Sequence, residues 1–332
     1  MKLRKLIAGI AILLSVAAST FAKTKIVTTI FPEYDWVKEI VGDKASEFEL
    51  TLLIKNGTDL HSYQQSFQDI AKISEADIFI YVGGESDGWV KDVLKSAKNK
   101  DMIVINLMEN LGDKVKAEEF IEGMQKTHDH EHDHEHAEHD HHHEHHHHDN
   151  EEEIENDEHV WLSVRFAKLF CSVIADSICK KDAANASVYK KNLSVYSAEL
   201  DKLDQRFSET VKNSKNNVLL FGDRFPFRYF VDDYEIKYYA AFIGCSAETE
   251  ASFDTVIFLA KKLDEHNLNA VCKIEKGNGK IAKTIIKSSK NKKAKILTLD
   301  SMQSTTESDI KKGARYLSIM QSNLEVIKEA LN

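Results

Sequence analysis

Short β-rich apolar runs alternate with helical patterns along most of this 332-residue chain, and that alternation constrains the fold more than any other feature. The runs Lys25–Ile30, Phe48–Ile54, Asp77–Val82 and Met102–Leu107 form one group of expected strands. Helical patterns over Pro32–Val41, Phe67–Glu75 and Trp89–Ala97 separate them. A second group follows at Asn217–Phe221, Ile236–Phe242, Ala270–Ile274 and Lys295–Leu299. Helices are expected there near Phe227–Asp233, Phe253–Glu265 and Lys280–Ser288, with a single last helix over Ser308–Leu331. Strands that take turns with helices build βαβ units, and βαβ units build parallel sheets.

Between the two groups lie a helix over Arg165–Cys179 and one long helical pattern from Ala186 to about Lys215. Leu193, Tyr196, Leu200, Leu203, Phe207 and Val211 recur on it at spacings of three and four, an amphipathic stripe. At 1.5 Å per residue it would run about 45 Å, too long for one small lobe and suited to a strut between two. The expected fold is therefore α/β: two lobes, each with a four-stranded parallel sheet flanked by helices, joined by a rigid spine helix. The expected organisation is a leader over residues 1–22, an N-terminal lobe over 23–185, the spine over 186–215 and a C-terminal lobe over 216–332.

The leader carries Lys2, Arg4 and Lys5, then an apolar run, then small residues up to Ala22, the pattern of a secretory signal peptide. No cysteine stands at the cleavage point, so no lipid anchor is expected, and the mature chain should be soluble and exported, in the periplasm or another extracytoplasmic space. Its removal takes the net charge from −10 to −13 by subtracting three basic residues, which argues against nucleic acid as a partner. Cys171, Cys179, Cys245 and Cys272 form no C-x-x-C pair. Export permits disulfides, and a Cys245–Cys272 bond is left open.

Thirteen of the sixteen histidines are packed between 128 and 148, interleaved with acids: His128, His130, His132, His134, His136, His139, His141, His142, His143, His145, His146, His147 and His148. Imidazole suits zinc, copper and nickel. The stretch has almost no apolar side chain to offset the entropy of ordering, so residues 126–158 are expected to be a mobile loop carrying auxiliary weak metal sites. His143–Glu144–His145–His146–His147 fits H-E-x-x-H, but chance alone produces that match in so histidine-rich a run.

In open parallel sheets ligands gather beyond the carboxyl ends of the strands. His61 follows the second expected strand, and His159 follows the fourth, beyond the insertion. In the second lobe Asp223, Glu275 and Asp300 follow the first, third and fourth strands. Two imidazoles thus face carboxylates across a cleft, an N/O set that zinc or manganese accepts, with Glu275 a direct ligand or a support behind one.

These segments carry a family resemblance. Gly57–Thr58–Asp59–Leu60–His61–Ser62–Tyr63 resembles the G-x-D-P-H-x-Y motif of the zinc/manganese solute-binding proteins of ABC importers, with Leu60 for proline. Asp157–Glu158–His159–Val160–Trp161–Leu162–Ser163 resembles their D-P-H-x-W-L-S motif. Asp300 and the segment Tyr316–Leu324 resemble the final ligand and the helix Y-x-x-M-x-x-N-L that follows it, and the histidine-rich insertion resembles zinc-type members. The resemblance implies His61, His159 and Asp300 as ligands, Zn2+ (Mn2+ as the alternative) as transported cargo, a cognate permease as partner and a monomer. It implies neither an enzyme nor a small organic substrate. One position departs. Where the family has a third His or Glu, this chain has Arg224, which is always protonated and cannot ligate a metal. Asp223 or water could fill that place, with Cys245 an outside candidate, or Arg224 could pair with a carboxylate. The rival readings are a zinc buffer or adhesin, and a zinc hydrolase with Glu275 as base.

Overall fold

The computed structural model describes residues 23–125, 155–246 and 250–332. The leader and residues 126–154 of the expected loop lie outside the described residues, while its last stretch, 155–158, is held in place instead of mobile: Asn156 bridges Ala117, and Asp157 and Glu158 are buried. The first lobe contains β1 (Thr24–Thr28), β2 (Phe48–Leu52), β3 (Ile78–Tyr81) and β4 (Ile103–Asn106), and the second β5 (Val218–Phe225), β6 (Lys237–Ile243), β7 (Ala270–Ile274) and β8 (Lys295–Leu299). All pairings are parallel, and the orders are β2-β1-β3-β4 and β6-β5-β7-β8. The two sheets thus share one topology. In each, the chain leaves the first strand to one side and returns to the other, which opens a crevice at the carboxyl ends of the central strands.

The strands form where β-branched and aromatic residues cluster, and their burial explains why they lack a clean polar alternation. Ile26, Ile78, Phe79, Ile80, Leu219, Leu220 and Phe221 are all within 1 % of full burial, as expected for sheets covered on both faces. The long helix spans Ala186–Lys212, 27 residues or about 40 Å. It buries Tyr196, Leu200, Leu203 and Phe207 of the expected stripe and Tyr189 besides, while Leu193 and Val211 are partly buried. It ends three residues before the expected limit, where Asn213 caps it and the polar Ser214–Lys215–Asn216 turn begins. One continuous apolar core runs from the first sheet through this helix into the second lobe. A smaller core lies between β5, β6, β7 and the helices Phe253–Glu265 and Lys280–Ser288.

The expected single last helix is instead two, Glu307–Lys311 and Tyr316–Ala330. Gly313 adopts φ +99 between them, a conformation that ends a helix and costs glycine little. The chain then restarts at Tyr316, whose N–H donates to the buried carboxylate of Asp35 (2.8 Å). The lobes are also tied at their rims, where Asn56 bridges Thr306 and the N–H of Glu307 donates to the carbonyl of Lys55 (2.8 Å).

Candidate metal centre

His61 sits in a short turn, Leu60–Ser62, after β2. Asp59 opens that turn, and its Oδ1 accepts the N–H of His61 (3.1 Å). The ring Nδ1 then lies 2.9 Å from Ser86 Oγ and 3.3 Å from Glu158 Oε2. Glu158 in turn accepts the N–H of Ser86 (2.7 Å). Gly84 makes room for this carboxylate: it has φ +80, and a Cβ there would lie 2.4 Å from Glu158 Oε1. Burial works to raise the Glu158 pKa, but His61 and Ser86 outweigh it and hold the carboxyl below its ordinary value.

His159 is fully buried. Asp157 holds it twice, accepting from its N–H (2.8 Å) and lying 2.9 Å from its Nδ1. Burial disfavours the imidazolium, yet Asp157, Glu118 and Asp59 together keep the His159 pKa above its ordinary value. The segment is anchored from the second lobe. Trp161 Nε1 donates to the carbonyl of Ser301 (2.9 Å), and Tyr316 Oη donates to the carbonyl of Trp161 (2.8 Å).

With both Nδ1 atoms engaged, both Nε2 atoms face one point, 3.2 Å apart. The amide nitrogen of Gln303 stands there, 2.7 Å from His159 Nε2 and 3.3 Å from His61 Nε2. Two imidazole lone pairs aimed at each other repel, and the two N–H groups of one amide relieve both. A partial positive charge thus occupies the place a cation would take.

The second lobe distributes its acids differently from what strand-end position suggests. Asp300 Oδ1 accepts from the N–H of Met302 (2.8 Å), a buried residue held at φ +62. Burial and the nearby charge of Glu275 push the Asp300 pKa up to about 6. Glu275 accepts from the N–H and Oγ of Ser301 (2.9 and 3.0 Å) and from Ser304 Oγ (2.8 Å). These two carboxylates therefore hold the turn on either side of Gln303. Asp223 accepts from the N–H groups of Arg224 (3.0 Å) and Ile274 (3.3 Å), and lines a cavity of about 330 Å3 with Lys276 and Gly277 that also takes in Asp59, Ser62 and Arg224. Arg224, at the family's ligand position, forms an ion pair with Asp59 across the cleft. Despite burial, that guanidinium and His61 keep the Asp59 pKa low.

Among the described residues, His61, His159 and Cys245 bring their ligand atoms within 4.8 Å of one another. Asp300, Asp223 and Glu275 stand outside that group. Cys245 follows β6 directly, and the sequence marked it only as an outside candidate. Its thiol is free, as is that of Cys272, so the open question of a bond between them resolves to two thiols. Gln303 and Glu118 carried no sequence signal, since neither a glutamine in a loop nor a glutamate beside an insertion is unusual.

The family described as "Zinc-uptake complex component A periplasmic" matches residues 26–330. The chain belongs to this family. Relatives include the zinc-binding protein AdcA of Streptococcus pyogenes, 29 % identical over 92 % of this chain and 56 % of AdcA. The high-affinity zinc uptake system protein ZnuA of Bacillus subtilis is 29 % identical over 93 % of this chain and 88 % of ZnuA. The chain thus spans little more than half the length of the AdcA relatives it matches. Among solved structures, the Zn(II)-bound ZnuA-like domain of Streptococcus pneumoniae AdcA superposes with TM-score 0.68 at 25 % identity, covering 93 % of this chain and 99 % of that one. The metal-dependent lipoprotein YcdH of Bacillus subtilis gives 0.70 at 26 %, with the same coverages. Among the described residues no helix is long and apolar enough to cross a membrane.

Proposed function

We propose that this chain is an exported binding protein that captures Zn2+ in the cleft between its lobes and delivers it to a membrane ABC permease. The observation that carries this reading is the pair of Nε2 atoms 3.2 Å apart, each backed by a carboxylate at the other ring nitrogen. Tetrahedral zinc with Zn–N bonds of about 2.05 Å needs ligand nitrogens about 3.3 Å apart. A carboxylate behind each imidazole fixes the tautomer and raises ligand basicity. His61 and His159 are the ligands, and the cation takes the place of the Gln303 amide. Asp223 and Glu275 have both carboxylate oxygens in hydrogen bonds, whereas Asp300 accepts from Met302 at Oδ1 alone and could join through Oδ2. Imidazole ligands and the affinity order both favour zinc over manganese. The histidine-rich run would raise the local zinc concentration at the cleft without completing the site.

Native mass spectrometry with metal analysis tests this. The mature protein should carry several zinc ions, and a variant lacking residues 128–148 should retain one that resists a chelator. Loss of that last ion with the run would overturn the cleft as the capture site.

A further inference from the structure

Cys245 is brought beside the two imidazoles by a local geometry in which its side chain also meets Glu118. Gly244 precedes it, and a Cβ on Gly244 would lie 2.9 Å from His159 Cε1, so only glycine lets the chain pass this close to the ring. The N–H of Cys245 then donates to Glu118 Oε1 (3.0 Å), which fixes the turn. Cys245 follows β6 as His61 follows β2, the equivalent strands of two sheets with one topology. Arg224, which stands where the family has its third ligand, is turned to Asp59 and to the carbonyl of Ser246 (3.4 Å).

We infer that Cys245 is the third metal ligand, making the cleft a two-imidazole, one-thiolate site selective for zinc and softer divalent cations such as cadmium over manganese. The inference rests on the proposed capture of zinc in the cleft and names the donor set. Zinc–thiolate and zinc–imidazole bonds of about 2.3 and 2.05 Å place sulfur and nitrogen about 3.6 Å apart in a tetrahedral site. The three ligand atoms already lie within 4.8 Å, so departure of the Gln303 amide and a closure of about 1 Å complete the geometry. On binding a divalent cation the thiol would give up its proton to solvent as the metal–sulfur bond forms. Cys171 and Cys272 are buried in the core, and Cys179 lies at the end of the helix Val164–Lys181, its Sγ 3.7 Å from the carbonyl of Ala186.

Cobalt(II) titration of the full mature chain reads the donor set directly, since the histidine-rich run gives no sulfur-to-cobalt charge-transfer band. One equivalent of tightly bound cobalt should produce that intense near-ultraviolet band, and zinc should abolish it. Cys245→Ser should remove the band and lower zinc affinity by about a hundredfold or more, with cadmium affected more than zinc and manganese hardly at all. Cys245→His should restore zinc without the band. A tight cobalt site in the unmodified protein without the band overturns the thiolate while leaving zinc capture standing. Absence of any tight site overturns both.

Discussion

The two lobes share a strand order yet equip their strand ends in opposite ways. In the first, two carboxylates back side chains that remain free to bind. Glu158 and Asp157 take the Nδ1 atoms of His61 and His159, and the Nε2 atoms stay available. In the second, the carboxylates hold turns of their own lobe. Asp300 fixes Met302, Glu275 gathers Ser301 and Ser304, and Asp223 takes two N–H groups. What that lobe points into the cleft is Cys245 and the amide of Gln303. Position at a strand end thus does not by itself aim a carboxylate at the cleft. The hydrogen bonds it makes in the folded protein count as well.

Substitution of the imidazoles should separate the lobes most sharply. His61→Ala or His159→Ala should weaken zinc binding at least about a hundredfold, near 3 kcal/mol, in competition titrations of a variant lacking residues 128–148. Asp300→Asn should cost less than about tenfold, because it disturbs the turn carrying Gln303 without removing a donor now aimed at the cation. Equal losses would erase the distinction.

Acid should act through the first lobe. His159 is held above its ordinary pKa by Asp157, Glu118 and Asp59 against the opposing effect of burial. A proton therefore competes for Nε2 at a higher pH than for an unperturbed imidazole. As pH falls through that raised value, zinc affinity should drop by about tenfold per unit, 1.36 kcal/mol. Zinc retention measured across pH in the run-deleted protein checks the sign, which would be wrong if affinity rose on acidification.

The supporting carboxylates come next. Asp157→Asn and Glu158→Gln should each weaken zinc by about tenfold while leaving one ion bound per chain, the usual effect of loosening an imidazole's rear partner. No change in either variant would mean the rings are held by packing alone.

The smallest effect concerns the bond between lobes. Arg224→Gln leaves Asp59 without its guanidinium in a half-buried setting and should lower unfolding stability by about 1 kcal/mol. Asp59→Asn combined with Arg224→Gln should recover most of it, and denaturant unfolding of the four proteins measures the coupling. Strict additivity would show that the pair contributes nothing to holding the cleft.

The amino-acid sequence alone determined the alternation of strands and helices, the two lobes, the spine starting at Ala186 and the nomination of His61 and His159. Those features are written in local periodicity and in short motifs whose residues lie close together along the chain. It also showed that Arg224 cannot be a ligand. It could not tell which acids were free. Glu275 is taken up by a turn 26 residues further on, a contact that exists only once β7 and β8 lie side by side. Nor could it seat Cys245 beside two histidines 184 and 86 residues earlier, or set the Gln303 amide between their rings. Tertiary structure decided these matters because each depends on which lone pairs neighbours from distant segments have already taken.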